Sequence, residues 1–281
     1  MKTVTTVADL RGALAALRER GQSVALVPTM GALHAGHLAL VEQARRAAGK
    51  VVVSIFVNPR QFGPGEDLDR YPRDLEGDAE KLREAGVDLL FAPSVAEMYP
   101  DGFSTTVHVA GVSEGMEGAR RPGHFDGVAT VVARLLGLVL PDVAVFGQKD
   151  AQQCAVVMRL VKDLGLPVAV RVAPTVRESD GLAMSSRNAY LTPEERKAAP
   201  ALFRALLATQ LVHELGERKA EKLLKAFRLA LESEPLLGLD SVDLVDVATM
   251  RPVEKVDRPV LLAAAVKVGR TRLIDNVVFG G

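Results

Sequence analysis

Short apolar runs alternate with amphipathic stretches over the first 175 residues, and this alternation limits the possible folds more than any other feature of the chain. The runs SVALVPT, KVVVSIFV, VDLLFAP, DVAVFG and PVAVRVAPTV occupy residues 23–29, 50–57, 87–93, 142–147 and 167–176. The patterns between them, such as residues 37–49 and 151–165, are typical of helices that end at a glycine. Apolar strands separated by helices predict a parallel sheet covered on both faces. We therefore expect an α/β domain, a Rossmann-like doubly wound sheet, with ligands beyond the carboxyl ends of its strands.

The pattern changes near residue 176. Two helical patterns, at about residues 193–211 and 217–233, precede three consecutive strand patterns, SVDLVDVA, PVLLAAAVKVG and TRLIDNVVF. Helices followed by neighbouring strands predict a smaller α+β unit with an antiparallel sheet. We expect a Rossmann-like domain over residues 1–175 and a smaller C-terminal α+β domain over residues 176–281.

The charge balance and the cysteine content restrict the partners and the compartment. Lys plus Arg and Asp plus Glu number 35 each, so the net charge is zero and favours neither a nucleic acid nor a membrane surface as partner. The single cysteine, Cys154, cannot form an intrachain disulfide, which favours the cytoplasm. Charged residues interrupt both the N-terminal 18 residues and the most apolar region, residues 128–147, so we expect no signal peptide and no membrane span.

Two of the five histidines, His34 and His37, lie in PTMGALHAGHLALV, at the junction between a predicted strand and a predicted helix. Gly36 marks the position where that helix must begin. Free backbone N–H groups and the positive end of the helix dipole then meet both imidazoles, which makes an anion site. Such a histidine can donate a hydrogen bond to a phosphate oxygen whether it is neutral or charged.

Three interpretations of this histidine pair compete. The imidazoles can simply cap and pack the helix, they can bind a metal ion, or they can bind phosphate. A metal site needs a third ligand, which no HExxH pattern and no neighbouring Cys or Asp cluster supplies. Phosphate binding is favoured. The sequence contains neither the P-loop motif GxxxxGK[ST] nor the dinucleotide-binding motif GxGxxG, so the phosphate must be bound by another arrangement of groups.

HAGH, at residues 34–37, resembles the HxGH signature of nucleotidyltransferases and class I aminoacyl-tRNA synthetases. The segments PTMGALHAGHLALV, SIFVNPRQFG, RPGHFDGVATVV, FGQKDAQQ and TVRESDGLAMSSRN occur in this order. Together they resemble the pantothenate synthetase (pantoate–beta-alanine ligase) family, within the HxGH nucleotidyltransferase superfamily. The resemblance covers nearly all of the chain to residue 196 and is looser beyond it.

The resemblance implies a reaction in two steps. ATP activates (R)-pantoate as an enzyme-bound pantoyl adenylate with release of pyrophosphate, and beta-alanine then attacks the acyl group to give pantothenate and AMP. No protein nucleophile is required, so the site must supply positive charge and hydrogen-bond donors around the phosphates. Magnesium is expected with ATP, held largely by phosphates and water, and no protein ligand is assigned to it.

The resemblance also implies site residues. The catalytic group comprises His34, His37 and Lys149, of which His37 is the preferred proton donor. The residues expected to contact ATP are Met30, Gly31, Ala32, Leu33, His34, Ala35, Gly36, His37, Gly147, Gln148, Lys149, Asp150, Val176, Met184, Ser185, Ser186 and Arg187. Lys149 would be directed at the phosphates, Val176 would pack on the adenine or hydrogen-bond to it through its backbone, and MSSRN resembles a KMSKS-type phosphate loop.

Neutral amides suit pantoate, which carries two hydroxyl groups beside its carboxylate. The resemblance implies that Asn58, Gln61, Arg121, His124 and Gln153 contact substrate, and Tyr71 is a candidate to cover pantoate. Gln61 is also expected near beta-alanine, whereas Gln152 should point elsewhere on helical geometry. The segment GPGEDLDRYPRD, residues 63–74, has the composition of a mobile loop that could exclude water from the adenylate, and the C-terminal domain is a second candidate lid.

Alternatives remain for the function. Another HxGH nucleotidyltransferase would transfer AMP to a phosphorylated acceptor, and a non-catalytic regulator would bind ATP without releasing pyrophosphate. A tRNA synthetase is disfavoured by the neutral charge and by the lack of an additional RNA-binding region. The family resemblance further implies a homodimer.

Overall fold

A computed structural model describes residues 1–19 and 21–280. The chain forms two compact units, one of Met1–Gly147 with Gln152–Pro174, and the other of Gln148–Ala151 with the residues from Thr175 onward. Within the described ranges, no helix combines the length and apolarity that crossing a membrane requires.

The first unit is built on a parallel six-stranded sheet with the order β1-β4-β3-β2-β5-β6, which confirms the predicted doubly wound α/β class. Its strands are β1 (Lys2–Val4), β2 (Val24–Thr29), β3 (Lys50–Ile55), β4 (Leu89–Phe91), β5 (Val143–Gly147) and β6 (Ala169–Ala173). Its helices are α1 (Val7–Arg18), α2 (Ala35–Ala47), α3 (Leu75–Glu84), α4 (Val95–Met98), α5 (Met116–Arg120), α6 (His124–Val139) and α7 (Ala151–Asp163).

The position of β2 in the sheet indicates where a ligand can bind. Residues 24–27 of β2 are completely buried, as expected for a central strand covered on both faces. β2 pairs with β3 on one side and with β5 on the other, so the strand order reverses there. In open α/β sheets, ligands bind beyond the strand ends at such a reversal. The loop that follows Thr29 therefore lies where a ligand is expected.

The second unit contains an antiparallel sheet with the order β7-β8-β9, which confirms the predicted smaller α+β fold. Its elements are α8 (Pro193–Ala198), α9 (Ala201–Glu214), α10 (Ala220–Leu231), β7 (Leu237–Asp246), β8 (Val260–Val268) and β9 (Thr271–Phe279). Leu206, Leu223, Phe227, Leu262 and Val266 lie in its core, each completely buried.

Three details differ from the pattern-based expectations. The single helix predicted over residues 193–211 is two helices, because Pro200 lacks the N–H that a continuous helix would need there. α2 ends at Ala47, before the predicted stop at Gly49, because Ala48 is already extended. β1 was not predicted, since only one of its three residues, Val4, is buried.

Candidate active site

Side chains of α3 hold the loop between β2 and α2 in place. Gly31 and Ala32 both have left-handed backbones, with φ of 81° and 51°. Asp78 Oδ1 accepts the Leu33 N–H at 2.8 Å, and Lys81 Nζ donates to the Leu33 carbonyl oxygen at 3.0 Å. A Cβ atom on Gly31 would lie 3.1 Å from Asp78 Oδ2. The loop therefore approaches α3 too closely for a larger side chain to fit easily at position 31.

His34 and His37 form a reciprocal cap at the start of α2. His34 Nδ1 accepts the Gly36 N–H at 3.1 Å, and His37 Nδ1 accepts the His34 N–H at 3.3 Å. The two ring centroids are 4.1 Å apart. Capping, one of the three interpretations considered above, is thus one role of the pair. The cap uses the Nδ1 atom of each ring.

This cap determines which nitrogen can donate. An Nδ1 atom that accepts a hydrogen bond carries no proton, so each neutral ring carries its proton on Nε2. Two imidazoles that carry their proton on Nε2 when neutral therefore lie at a helix N-terminus whose first turn contains no acidic residue. Donors and the helix dipole together favour an anion at this position.

In the first unit, a chain of hydrogen bonds through Asn58 fixes the side chain of Gln61. Asn58 Nδ2 donates to Gln61 Oε1 at 3.0 Å and to the Gly127 carbonyl oxygen at 3.1 Å, and Asn58 Oδ1 accepts from Tyr99 Oη at 2.9 Å. Gln61 Nε2 then points at Met30 Sδ, 3.2 Å away. Asn58 is almost completely buried and its two N–H donors are both used inside the protein, so its clearest role is to orient Gln61.

Tyr99 was missed by the sequence analysis, because no local spacing links it to a residue 41 positions away. Burial raises the pKa of Tyr99 to about 12, against the opposing charges of Arg60 and Arg134. The phenol therefore remains a neutral donor at physiological pH. Arg60 also lies over the Tyr99 ring, 4.9 Å from its centroid.

Arg121 and His124 converge on the backbone of Gln61. His124 Nδ1 lies 2.8 Å from the Gln61 carbonyl oxygen, and Arg121 Nη2 donates to the same oxygen at 3.3 Å. Arg121 also makes a bidentate pair with Glu66, at 2.7 and 2.6 Å. Burial raises the pKa of the Glu66 carboxyl, but the hydrogen bonds and charge of Arg121 outweigh it, so the net pKa lies below its ordinary value. Glu66, a second residue that sequence reasoning missed, thereby ties the segment 63–74 to Arg121.

Two further predicted substrate residues lie in the first unit. Tyr71 is buried, and its ring packs edge-on against Phe62 with the centroids 6.0 Å apart. Gln153 is half-buried in the first turn of α7. Its neighbour Gln152 is buried and donates to the carbonyl oxygens of Val112 and Gly115, so it stabilises the fold.

Cys154 is also buried in α7, and its Sγ lies 3.3 Å from the carbonyl oxygen of Gly147, the last residue of β5. Its burial agrees with the packing role expected for a small side chain.

In the second unit, the predicted phosphate-directed lysine lies in a short 3-10 turn, Gln148–Asp150. The Lys149 side chain is about one-fifth exposed and its Nζ lies 3.9 Å from Asp150 Oδ2. Asn276 on β9 donates from Nδ2 to the carbonyl oxygens of Gln148 and Lys149, 3.0 Å each.

Residues 176–184 form a hairpin in the same unit, and this hairpin leads into the loop Met184–Arg187. The Val176 carbonyl oxygen accepts the Met184 N–H at 3.0 Å. Ser185 Oγ accepts the Arg187 N–H at 3.3 Å and so begins a 3-10 turn that includes Ser186 and Arg187. Both Ser186 and Arg187 are half-buried.

A buried ion pair anchors this hairpin. Arg177 donates to both carboxylate oxygens of Asp275, at 2.6 and 3.0 Å, and to the Gly181 carbonyl oxygen at 3.1 Å. The guanidinium carbon lies 3.6 Å from the centroid of the Phe203 ring. Burial raises the pKa of Asp275, which the charge and hydrogen bonds of Arg177 oppose. The hairpin is therefore fixed to β9 by the ion pair with Asp275 and to α9 by the contact with Phe203.

The structure thus groups some of the predicted site residues. His34 lies with His37, Gln61 lies with Asn58 and Met30, and Arg121 and His124 contact the Gln61 backbone. Within the two described ranges, no cluster of three or more His, Cys, Asp or Glu side chains has a metal-binding arrangement.

Comparisons with known proteins agree with this geometry. A profile of the Pantoate-beta-alanine ligase family matches residues 2–278. The pantothenate synthetases of Paramagnetospirillum magneticum and Moorella thermoacetica are 56% and 53% identical to this chain, with coverage of 98% and 99% of this chain and 96% and 98% of their own. The crystal structure of pantothenate synthetase from Thermus thermophilus has a TM-score of 0.94 at 56% identity, covering 99% of both chains. Pantoate-beta-alanine ligase from Francisella tularensis, complexed with beta-gamma ATP and beta-alanine, has a TM-score of 0.80 at 31% identity, covering 99% of this chain and 97% of its own. The chain belongs to the pantoate-beta-alanine ligase family.

Proposed function

We propose that the chain joins (R)-pantoate to beta-alanine at the expense of ATP, and that it releases pantothenate, AMP and pyrophosphate. The observation that carries this proposal is the reciprocal histidine cap, which places two imidazoles at the start of α2, after the strand at which the sheet order reverses. Family membership supplies the substrates.

In the first step, a carboxylate oxygen of pantoate attacks the α-phosphorus of ATP and pyrophosphate departs. Negative charge builds up on the phosphate oxygens during this displacement. Donors that are already in position stabilise that charge without having to reorganise. In this proposal His34, at the N-cap, and His37, in the first turn of α2, supply such donors beside the positive end of the helix dipole.

In the second step, the amine of beta-alanine attacks the pantoyl carbonyl carbon, and AMP leaves with the oxygen that came from pantoate. The amine loses one proton as the amide bond forms. Neither step needs a covalent bond to the protein, and the buried Cys154 is not required as a nucleophile.

Gln61 is the central pantoate contact in this proposal. Its Oε1 is occupied by Asn58, so its Nε2 donor remains directed toward the Met30 loop. Gln153 and Tyr71 are proposed to contact the same substrate. Asn58, Arg121 and His124 act mainly by holding Gln61 in place.

For the second unit, we propose that Lys149 and the loop Met184–Arg187 contact the phosphates of ATP and that Val176 contacts its adenine. Two hydroxyl groups and a guanidinium suit phosphate oxygens, because charge-assisted hydrogen bonds are the strongest available. Closure of this unit as a lid stays a prediction.

Magnesium fits the proposal as a companion of ATP. Such an ion would be held mainly by the phosphates and water, so no protein ligand is proposed for it. When bound, it would neutralise part of the triphosphate charge. We further propose a cytoplasmic homodimer with small-molecule substrates; light scattering coupled to size exclusion tests the dimer.

The test is pyrophosphate release from ATP, measured with and without pantoate and beta-alanine. We expect a single turnover of pyrophosphate with pantoate alone and continuous release when both substrates are present. Pyrophosphate release at the same rate with and without pantoate would refute the proposal. A stable AMP adduct of a phosphorylated acceptor would favour another HxGH nucleotidyltransferase, and ATP binding without release would favour a regulator.

A further inference from the structure

Asn276, on the edge strand β9, makes a contact that the reaction does not obviously require. The residue is 3% exposed, and its backbone pairs with Ala263 on β8. Its Nδ2 atom donates to the carbonyl oxygens of Gln148 and Lys149, both at 3.0 Å. These three residues lie in the same compact unit.

The two carbonyl groups belong to the peptide planes on either side of the Lys149 Cα atom. Hydrogen bonds to both planes restrict φ and ψ of Lys149, and those two angles set the direction in which its Cα–Cβ bond leaves the backbone. The Gln148 side chain lies alongside, with Nε2 3.5 Å from Asn276 Oδ1. One buried amide therefore restrains the backbone from which the Lys149 side chain projects.

Asn276 is itself held in place by its neighbour. Its backbone N–H donates to Asp275 Oδ1 at 2.8 Å. Asp275 is fixed in turn by the bidentate pair with Arg177. The Asn276 amide that contacts the 3-10 turn thus follows a residue that is held by a bidentate ion pair.

We infer that Asn276 is a positioning residue, which aims the Lys149 ammonium at the phosphates of the bound nucleotide. This inference rests on the proposed function, because it assumes that Lys149 contacts ATP. An amide is required at position 276, since only an N–H donor can satisfy two carbonyl oxygens there. A carboxylate of the same size would repel them.

The test is a double-mutant cycle between Asn276→Ala and Lys149→Ala, read out as the single-turnover rate of pyrophosphate release with ATP and pantoate. If Asn276 acts through Lys149, Asn276→Ala slows the wild-type rate roughly tenfold or more. In the Lys149→Ala background it changes the rate by less than about twofold, because coupled residues are not additive. Asn276→Asp, which keeps the side-chain volume, should behave like Asn276→Ala.

Val277→Ala is the matched control, because Val277 neighbours Asn276 on β9 and packs on the core of the second unit. It should lower the melting temperature and leave the rate unchanged. The inference is overturned if Asn276→Ala slows both backgrounds by the same factor, if it has no effect, or if Val277→Ala slows the reaction equally. Should either Asn276 variant fail to fold, the other completes the cycle.

A second readout separates this inference from the proposed function. Calorimetric titration with ATP alone measures binding in the same four proteins. Absence of pyrophosphate release in the wild type would refute the ligase proposal, whereas the binding cycle would still report on Asn276. We expect weaker ATP binding in Asn276→Ala only when Lys149 is present, and equal weakening in both backgrounds would contradict the inference.

Discussion

Replacing His34 can separate its capping role from its proposed contact with phosphate. Alanine removes the acceptor for the Gly36 N–H, a bond of 3.1 Å. Loss of an N-cap costs about 1 kcal/mol, which corresponds to a melting temperature lower by about 2 to 4 °C. Serine also caps helices well but is too short to replace the imidazole Nε2. We therefore expect His34→Ser to melt near the wild-type temperature and His34→Ala to melt below it.

Both variants should lose catalysis. A hydrogen bond to a charged group contributes about 1.5 to 3 kcal/mol, or roughly ten- to a hundredfold in rate if it acts in the transition state. The assay is single-turnover pyrophosphate release with pantoate and ATP, combined with thermal unfolding. Thr6→Ala is the control, because it removes the N-cap of α1, a bond of 3.1 Å to Asp9, and should lower stability without slowing release. Full activity in His34→Ser would refute the phosphate contact and leave only the cap.

Three further predictions concern the surroundings of Gln61. Tyr99→Phe removes the donor to Asn58 Oδ1 and should cost about 0.5 to 1.5 kcal/mol of stability, with a higher KM for pantoate in steady-state assays; an unchanged KM would contradict the proposed role of the amide chain. Gly127→Ala would place its Cβ against the Arg60 carbonyl oxygen, well inside van der Waals contact, so denaturant unfolding should reveal a loss of more than about 1 kcal/mol, and wild-type stability would show that the contact relaxes freely. The lowered pKa of Glu66 means that its pair with Arg121 stabilises the fold above about pH 4.3 and loses that contribution as the pH falls through the lowered value. Urea unfolding of wild type and Glu66→Gln should therefore differ at pH 7 and converge in acid, and an equal difference at both pH values would contradict the ion pair's role.

The fold could be predicted largely from periodicity, because strands buried on both faces appear as continuous apolar runs. The five predicted strands of the first unit and the three of the second all form. β1 escaped prediction because a three-residue strand with one buried side chain has no measurable period. The break at Pro200 could have been predicted from its missing N–H, but the apolar pattern on either side obscured it.

The site was only partly predictable. His34 and His37 could be identified because a strand end, a glycine and a helix start are all local features. Tyr99, Glu66 and Asn276 act through contacts with residues 41, 55 and up to 128 positions away, and no spacing in the sequence encodes such contacts. The double role of the histidines also required coordinates, since the sequence does not reveal which ring nitrogen the cap occupies.

The central claim is that the carboxylate of pantoate attacks the α-phosphorus of ATP. Pantoate labelled with ¹⁸O in its carboxylate tests this directly, with the AMP analysed by mass spectrometry after turnover with beta-alanine. Our account predicts that each AMP molecule carries one ¹⁸O atom, transferred from pantoate. AMP that contains only unlabelled oxygen while labelled pantothenate accumulates would contradict the adenylate intermediate and the assignment of the histidine pair that rests on it.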